Sequence, residues 1–457
     1  MGRKAGAETH PAGATPGHGE TPLAGIAVVL AAGILPDRYD PSEQPLDELR
    51  RLVAVLHARP VAEVTQRISF PNPSSFIGAG KVEELKAAVN DNDVRAVVFD
   101  DELTPAQQRN LERAVGVRIL DRTELILEIF ALRARTREAK LQVELARNEY
   151  LLPRLRRRWT HLERQLGGIG VRGGMGEKQL ESDRRRIQRR IRDLKKDLEK
   201  IDARKMREVR SRRDFYTVSV VGYTNAGKST LTNALTGSDL FVEDRLFATL
   251  DTHTRLCRLG GGLEILLSDT VGFIRRVPPG IVNSFLATLE EARNADLLLH
   301  VVDASEPAFQ QQMEAVEEVL EEIGASRIPV IIVFNKMDAV QEGIMVRNFL
   351  WRRHEAVPVS ALTGLGLDKL KEAVRAEIVR SAPEIHVDVP IADGRALHFL
   401  MTRGAVIHMK TDEDAECVAV RVKMPEHIIE HFQRRFRDVP VKRAQNTREE
   451  PATWGKS

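Results

Sequence analysis

The residues Gly222-Tyr223-Thr224-Asn225-Ala226-Gly227-Lys228-Ser229-Thr230 fit the spacing Gly-x4-Gly-Lys-Ser. Glycines at these positions let a loop fold back with its backbone N–H groups pointing inward, where they can meet phosphate oxygens. Lys228 is placed to reach the β- and γ-phosphates of a nucleotide. The Ser229 hydroxyl is placed to ligate Mg²⁺, a hard cation that takes oxygen. The flanking residues supply the context such a loop needs. Thr217-Val218-Ser219-Val220-Val221 is a β-branched run of buried-strand type, and Leu231-Thr232-Asn233-Ala234-Leu235 starts a helix whose positive end would face the anion. A glycine turn with a chance lysine accounts for this arrangement poorly.

Four further segments follow in order. Phe247-Ala248-Thr249-Leu250-Asp251 lies in an irregular stretch before a strand at 263–267. Thr249 can offer its hydroxyl to Mg²⁺ when a γ-phosphate is present, with Thr252 and Thr254 as rivals on spacing alone. A strand then ends in Asp269-Thr270-Val271-Gly272. Here Asp269 would hold a Mg²⁺-bound water, and the Gly272 N–H would contact the γ-phosphate. Lys228, Thr249 and Gly272 are the expected catalytic set.

The base is decided by Asn335-Lys336-Met337-Asp338, which follows the buried run Val330-Ile331-Ile332-Val333-Phe334. The Asp338 carboxylate can accept from guanine N1–H and the exocyclic amine. Adenine presents an acceptor there and would leave the carboxylate unpaired, a loss of about 1–3 kcal/mol. Lys336 would lay its stem over the base and Asn335 would brace the loop. Ser360-Ala361-Leu362 would finish the pocket, with the N–H near Ala361 aimed at the guanine oxygen. Each segment alone is weak, but four in order, each after a strand, specify a GTP site. Phe273 departs from the Ras-like pattern, which has a water-orienting glutamine there. Phenylalanine neither donates nor accepts, so unassisted hydrolysis should be slow and a partner should complete the site.

The elements that must carry this site are set by the rest of the 457 residues. Two cysteines exclude a disulfide framework, and no apolar run approaches the roughly 20 residues that span a bilayer. A cytoplasmic protein is expected, with peripheral membrane association as a lesser reading. Residues 1–22 are rich in Gly, Ala, Pro and Thr and read as a disordered tail. Strand-like and helix-like runs alternate over 23–132, as in a small α/β domain with a largely parallel sheet. Gly78-Ala79-Gly80-Lys81 within it lacks the phosphate-loop spacing and reads as a helix-entry turn.

Residues 133–213 hold 27 Lys+Arg against 12 Asp+Glu, while the whole chain is only +3. Apolar residues recur there at near-heptad spacing: Leu141, Leu145, Leu152, Leu155, Trp159 and Leu162, then Leu180, Ile187, Ile191, Leu194, Leu198 and Ile201. Two long antiparallel helices are predicted, kinked at Pro153 and joined by a non-helical tip over residues 167–176. So basic a rod suits a phosphate backbone. The expected RNA contacts are Arg154, Arg156, Arg157, Arg158, Arg172, Arg184, Arg185, Arg186, Arg189 and Arg190. The GTPase domain should occupy 214–380. Residues 381–443 read as a small α+β domain, with period-two runs at 385–389, 396–400, 405–409 and 417–422 and a helix from Pro425 to Arg435. Residues 444–457 read as a flexible tail.

Together these motifs resemble the HflX family of the Obg–HflX group of translational GTPases, from about residue 49 to 378. The resemblance is carried by Phe76-Ile77-Gly78-Ala79-Gly80-Lys81-Val82-Glu83-Glu84-Leu85, by Gly167-Gly168-Ile169-Gly170, and by Gly176-Glu177-Lys178-Gln179-Leu180-Glu181-Ser182-Asp183. The segments 222–230, 247–251 and Asp269-Thr270-Val271-Gly272-Phe273-Ile274 complete it. Asp251-Thr252 lacks the usual proline, and Gly173-Gly174-Met175-Gly176-Glu177-Lys178 replaces a commoner Gly-Pro-Gly-Glu-Thr. The resemblance implies binding to the large ribosomal subunit and its RNA, ribosome-stimulated GTP hydrolysis, and splitting or rescue of stalled ribosomes. A monomer is expected rather than a stable oligomer. The competing class is a non-catalytic, nucleotide-gated RNA-binding or assembly module.

Overall fold

The computed structural model of the chain describes residues 23–36, 45–92, 94–157, 174–211, 214–237, 253–275, 289–340, 356–412 and 416–443. It divides into two compact units, 1–193 and 194–457.

In the first unit, β1 (Ala27–Ile34), β2 (Arg59–Arg67), β3 (Ala96–Phe99) and β4 (Arg118–Leu120) form a parallel sheet in the order β2-β1-β3-β4. The helices α1 (Asp47–Val55), α2 (Ala79–Asp91) and α3 (Pro105–Val115) connect them, and α4 (Arg122–Arg133) follows β4. The expected alternation is therefore present. α3 starts where the sequence says it must: Thr104 accepts from the Gln107 N–H, Gln107 answers in a capping box, and Pro105 sits in the first turn. Gly78 is the N-cap of α2, a helix-entry turn as expected.

α5 (Arg137–Leu151) gives way at Pro153 to a 3-10 turn, Leu152–Arg157. Proline cannot donate the bond that would continue the α-helix. Trp159 and Leu162 of the predicted first arm lie outside the described residues. The second arm is α6 (Gly174–Ser211), a 38-residue helix. It corrects the predicted tip, since Gly174 and Gly176 are helical. Glycine costs about 1 kcal/mol per helical position, which a long helix outweighs. Arg190 forks onto Glu144 of α5 at 2.6 and 2.7 Å, joining the arms.

In the second unit, β5 (Tyr216–Gly222), β6 (His253–Arg258), β7 (Glu264–Asp269), β8 (Leu297–Asp303), β9 (Val330–Asn335) and β10 (Val357–Pro358) form a sheet in the order β10-β9-β8-β5-β7-β6. Only β6 runs antiparallel among these pairs. α7 (Lys228–Thr236), α8 (Phe309–Glu322) and α9 (Leu367–Ser381) belong to this part.

The C-terminal portion contains an antiparallel sheet, β12-β13-β11-β14, from β11 (Glu384–Pro390), β12 (Ala405–Asp412), β13 (Cys417–Lys423) and β14 (Val441–Arg443). α10 (Gly394–Arg403) and α11 (Glu426–Arg435) accompany it. The run 396–400, expected as period-two strand, is inside α10. Ala396, Phe399 and Leu400 are buried at helical spacing, and Asp393 caps the start by accepting from the Ala396 N–H. One hydrophobic core continues from Val218, Leu267 and Val333 to Val387, Val420 and Phe432, so the C-terminal sheet shares its core with the GTPase sheet.

Candidate nucleotide-binding site

The phosphate loop leaves β5 at Gly222, whose φ is +150°. A Cβ there would collide with the Val301 carbonyl oxygen of β8. At the other end, Gly227 (φ +89°) caps α7 with no side-chain hydrogen bond, and a Cβ would collide with Asn335 Nδ2. Glycine is therefore required at both ends. The first turn of a helix has N–H groups with no helical acceptor, and no capping side chain covers this one. Lys228 is buried, and its Nζ donates to the Tyr223 carbonyl at 2.9 Å. Burial lowers its pKa to about 8, with Asp269 opposing that shift. The Ser229 hydroxyl donates to Asp269 Oδ2 at 2.6 Å, bringing together two oxygens that the sequence places 40 residues apart.

Asp269 ends β7 and is fully buried. Thr270 beside it donates to the Val220 carbonyl at 2.7 Å. Phe273 is locked onto the phosphate loop: its N–H donates to the Gly222 carbonyl at 3.1 Å, and its carbonyl accepts from the Thr224 N–H at 2.7 Å. Its ring is buried. The Arg275 N–H donates to the Tyr223 hydroxyl at 2.9 Å, a second tie that sequence patterns did not single out.

Gly272 sits so close to the loop that a Cβ would lie 2.7 Å from Thr224 Cα and 2.9 Å from Lys228 Nζ. Backbone cannot swing aside as a flexible side chain can. Overpacking of this kind costs about 1–3 kcal/mol. Gly272→Ala is therefore expected to weaken binding of a non-hydrolysable GTP analogue by roughly ten- to a hundredfold, with GDP affected less. Titration with fluorescent analogues checks this, and wild-type affinity for the triphosphate would refute the crowding argument.

Asn335 ends β9, and its side chain joins two loops. Nδ2 donates to the Ala226 carbonyl at 2.9 Å, and Oδ1 accepts from the Ala361 N–H at 3.0 Å. Lys336 has a left-handed backbone (φ +61°), and its Nζ is 2.7 Å from Asp303 Oδ2. Met337 and Asp338 lie in a 3-10 turn, with Asp338 exposed. The buried Ser360 hydroxyl donates to Asp338 Oδ1 at 2.5 Å. Leu362 is exposed on the same loop as Ala361.

Of the other sequence candidates, 247–251 and Thr252 lie outside the described residues. Thr254 is in β6, with its hydroxyl 3.0 Å from that of Ser268. Asn225 (φ +64°) and Thr230 occupy the loop and the first turn of α7, respectively.

The expected RNA arginines divide. Arg184, Arg185, Arg186 and Arg189 are exposed on α6, with Arg185 3.0 Å from Glu181. Arg190 is exposed but held by Glu144. Arg154 is a correction. It is buried, donating to the Leu103 carbonyl at 2.7 Å and to Asp121 Oδ2 at 3.2 Å, with its guanidinium 3.7 Å from the Tyr150 ring centroid. Its charge is spent inside the first unit. Arg158 and Arg172 lie outside the described residues, as do the side chains of Arg156 and Arg157.

A largely parallel sheet, a glycine-bounded phosphate loop and an Asn-Lys-x-Asp turn braced against it define a P-loop GTPase domain. Family comparisons agree: the 50S ribosome-binding GTPase family matches residues 217–336, and the N-terminal and middle regions of a GTP-binding GTPase family match 43–131 and 133–213. GTPase HflX of Magnetococcus marinus is 43% identical over 390 residues, covering 84% of this chain and 89% of that protein. GTPase HflX of Escherichia coli K12 is 42% identical over 410 residues, covering 85% and 95%. A GTP-binding protein from Sulfolobus solfataricus, solved with GDP, is 27% identical over 77% of this chain and 98% of that one, with a TM-score of 0.41. The chain belongs to the HflX family of GTPases. It is a GTP hydrolase, which sets aside the non-catalytic alternative. Among the described residues, no helix is long and apolar enough to cross a membrane.

Proposed function

We propose that this GTPase binds the large ribosomal subunit in its GTP state, and that a ribosomal partner completes the hydrolytic site. The consequence would be splitting or rescue of stalled ribosomes, which places its work in the cytoplasm. The observation that carries this reading is Phe273: it follows Gly272 where a polar side chain would orient water, its ring is buried, and its backbone is tied to the phosphate loop. The names of the relatives and the 50S description of the matching family support the choice of ribosome.

In the proposed mechanism the chain positions GTP and stabilises charge without a covalent intermediate. The phosphate loop wraps the β- and γ-phosphates with N–H groups, Lys228 neutralises charge building on them, and the Gly272 N–H meets the γ-phosphate. Asp338 reads the guanine edge, while the Ala361 N–H, held by Asn335 Oδ1, braces the loop beside it. Ser229 and Asp269 present the hard oxygen set that suits Mg²⁺, the first as a direct ligand and the second through water, with Thr249 as a further ligand. When bound, Mg²⁺ supplies charge neutralisation at the phosphates.

Phosphate release measured with and without purified large subunits tests the reading, together with pelleting in GTP-analogue, GDP and nucleotide-free states. Stimulation and analogue-dependent pelleting are expected. Fast turnover by the protein alone, or pelleting indifferent to nucleotide, refutes it. The exposed arginines of α6 are the proposed RNA contacts. Replacing Arg184, Arg186 and Arg189 by Ala should flatten the dependence of log affinity on log salt by roughly 0.7–0.9 for each phosphate that is no longer neutralised. An unchanged slope removes α6 from the RNA interface.

A further inference from the structure

Among the described residues of the first unit, Phe70 is 86% exposed; the other large apolar side chain standing in solvent is Leu132, at 37%. Phe70 is on the connection from β2 to α2, and that connection is braced at several points. Asn72 and Phe76 exchange backbone hydrogen bonds at 2.8 and 2.9 Å. The Ser74 N–H and hydroxyl both donate to Asn72 Oδ1, at 2.9 and 2.8 Å. α3 holds the loop from outside, with Gln107 Nε2 donating to the Asn72 carbonyl at 2.7 Å and Asn110 Nδ2 to the Ser74 carbonyl at 2.9 Å. The loop's second aromatic, Phe76, is buried, and a Cβ at Gly33 would come within 2.7 Å of its ring. One phenylalanine anchors the loop and the other faces out.

Pro71 follows Phe70 directly and restricts its backbone, with Pro73 stiffening the next step. A loop braced in this way gives up little backbone freedom when its exposed ring docks. Its neighbours Ser69, Pro71, Pro73 and Ser74 form no aliphatic patch of the kind that cores a protein interface. On α3, Arg109 and Arg113 are exposed beside and one turn beyond the Asn110 that touches the loop. A solvated π-face on a loop tied to a helix that carries exposed cations fits a splayed nucleobase and its phosphates.

We propose that Phe70 stacks on an unpaired base of ribosomal RNA. This rests on the ribosome-binding reading above and adds to it an RNA-binding point besides α6. Binding of the full chain to purified large subunits, with a GTP analogue present, is measured for wild type, Phe70→Ala, Phe70→Leu and Phe70→Trp. Phe70→Ala should weaken binding roughly tenfold. Phe70→Leu, which keeps apolar area but has no π-face, should be weakened nearly as much, and Phe70→Trp should match or exceed wild type. Hydrolysis without ribosomes should be unchanged in all three. Phe70→Ala binding as tightly as wild type overturns the inference while leaving the ribosome-binding reading intact. Phe70→Leu at wild-type affinity beside a weakened Phe70→Ala also overturns it, pointing to an apolar protein pocket. A wild-type chain that fails to bind removes both together.

Discussion

Asp338→Asn is expected to move nucleotide preference from guanine towards xanthine by on the order of a hundredfold or more. Asp338 is exposed on its 3-10 turn, so the substitution leaves the core untouched. One carboxylate oxygen is oriented by the Ser360 hydroxyl at 2.5 Å, which fixes the plane offered to a base. Ionised carboxylate is acceptor-only and meets the two donors on the guanine edge. Carboxamide replaces one acceptor by an NH2 donor, which opposes the guanine amine and complements the xanthine oxygen at the same ring position. The discrimination is steep because two donors set against each other in the bound complex both lose their partners. Competition of GTP and XTP for the same fluorescent nucleotide checks it. Unchanged GTP affinity with no gain for XTP would show that Asp338 does not read the base.

Sequence patterns locate the phosphate loop because its chemistry is local: glycines, lysine and serine are contiguous, with strand and helix on either side. Asn335 is legible as a brace, but its two partners, Ala226 and Ala361, come from loops that only the folded sheet brings together. The tie between the Tyr223 hydroxyl and the Arg275 N–H is not legible, since tyrosine in a phosphate loop has no local reason to face that N–H.

The errors have the same origin. Ala396 to Leu400 suggests strand by alternation over five residues, too short a window to separate period two from the i, i+3, i+4 pattern. Asp393, three residues before Ala396, is the available cap signal. Gly174 and Gly176 fall outside any helix on propensity, a weak prior once the helix they open runs to Ser211. Arg154 reads like its basic neighbours because its acidic partner, Asp121, is 33 residues earlier and on another element. Charge counting along a chain cannot tell a solvated arginine from one folded inward.

Arg154→Ala is accordingly expected to act on stability. Asp121 is fully buried at the start of α4, where it accepts from the Glu124 N–H at 2.8 Å and from the Leu103 N–H at 3.3 Å, beside the Arg154 guanidinium. Removing one partner of a buried pair typically costs about 3–5 kcal/mol, because the remaining charge is left uncompensated. Burial pushes the Asp121 carboxyl up to about 6, against the opposing pull of the Glu124 N–H and of Arg154. Losing the arginine removes part of that pull and should raise the value further. A carboxyl whose folded pKa lies above its unfolded one binds more protons when folded. Stability therefore falls as pH rises from about 4 through the folded value, and in the variant this fall extends to higher pH. The deficit of Arg154→Ala should accordingly be larger at pH 7.5 than at about pH 5.5. Amide hydrogen exchange over β3, β4 and α4 reads it locally, which matters in a chain of several domains where a single melting midpoint is ill-defined. Protection equal to wild type at both pH values would return Arg154 to the surface and to the RNA-binding set.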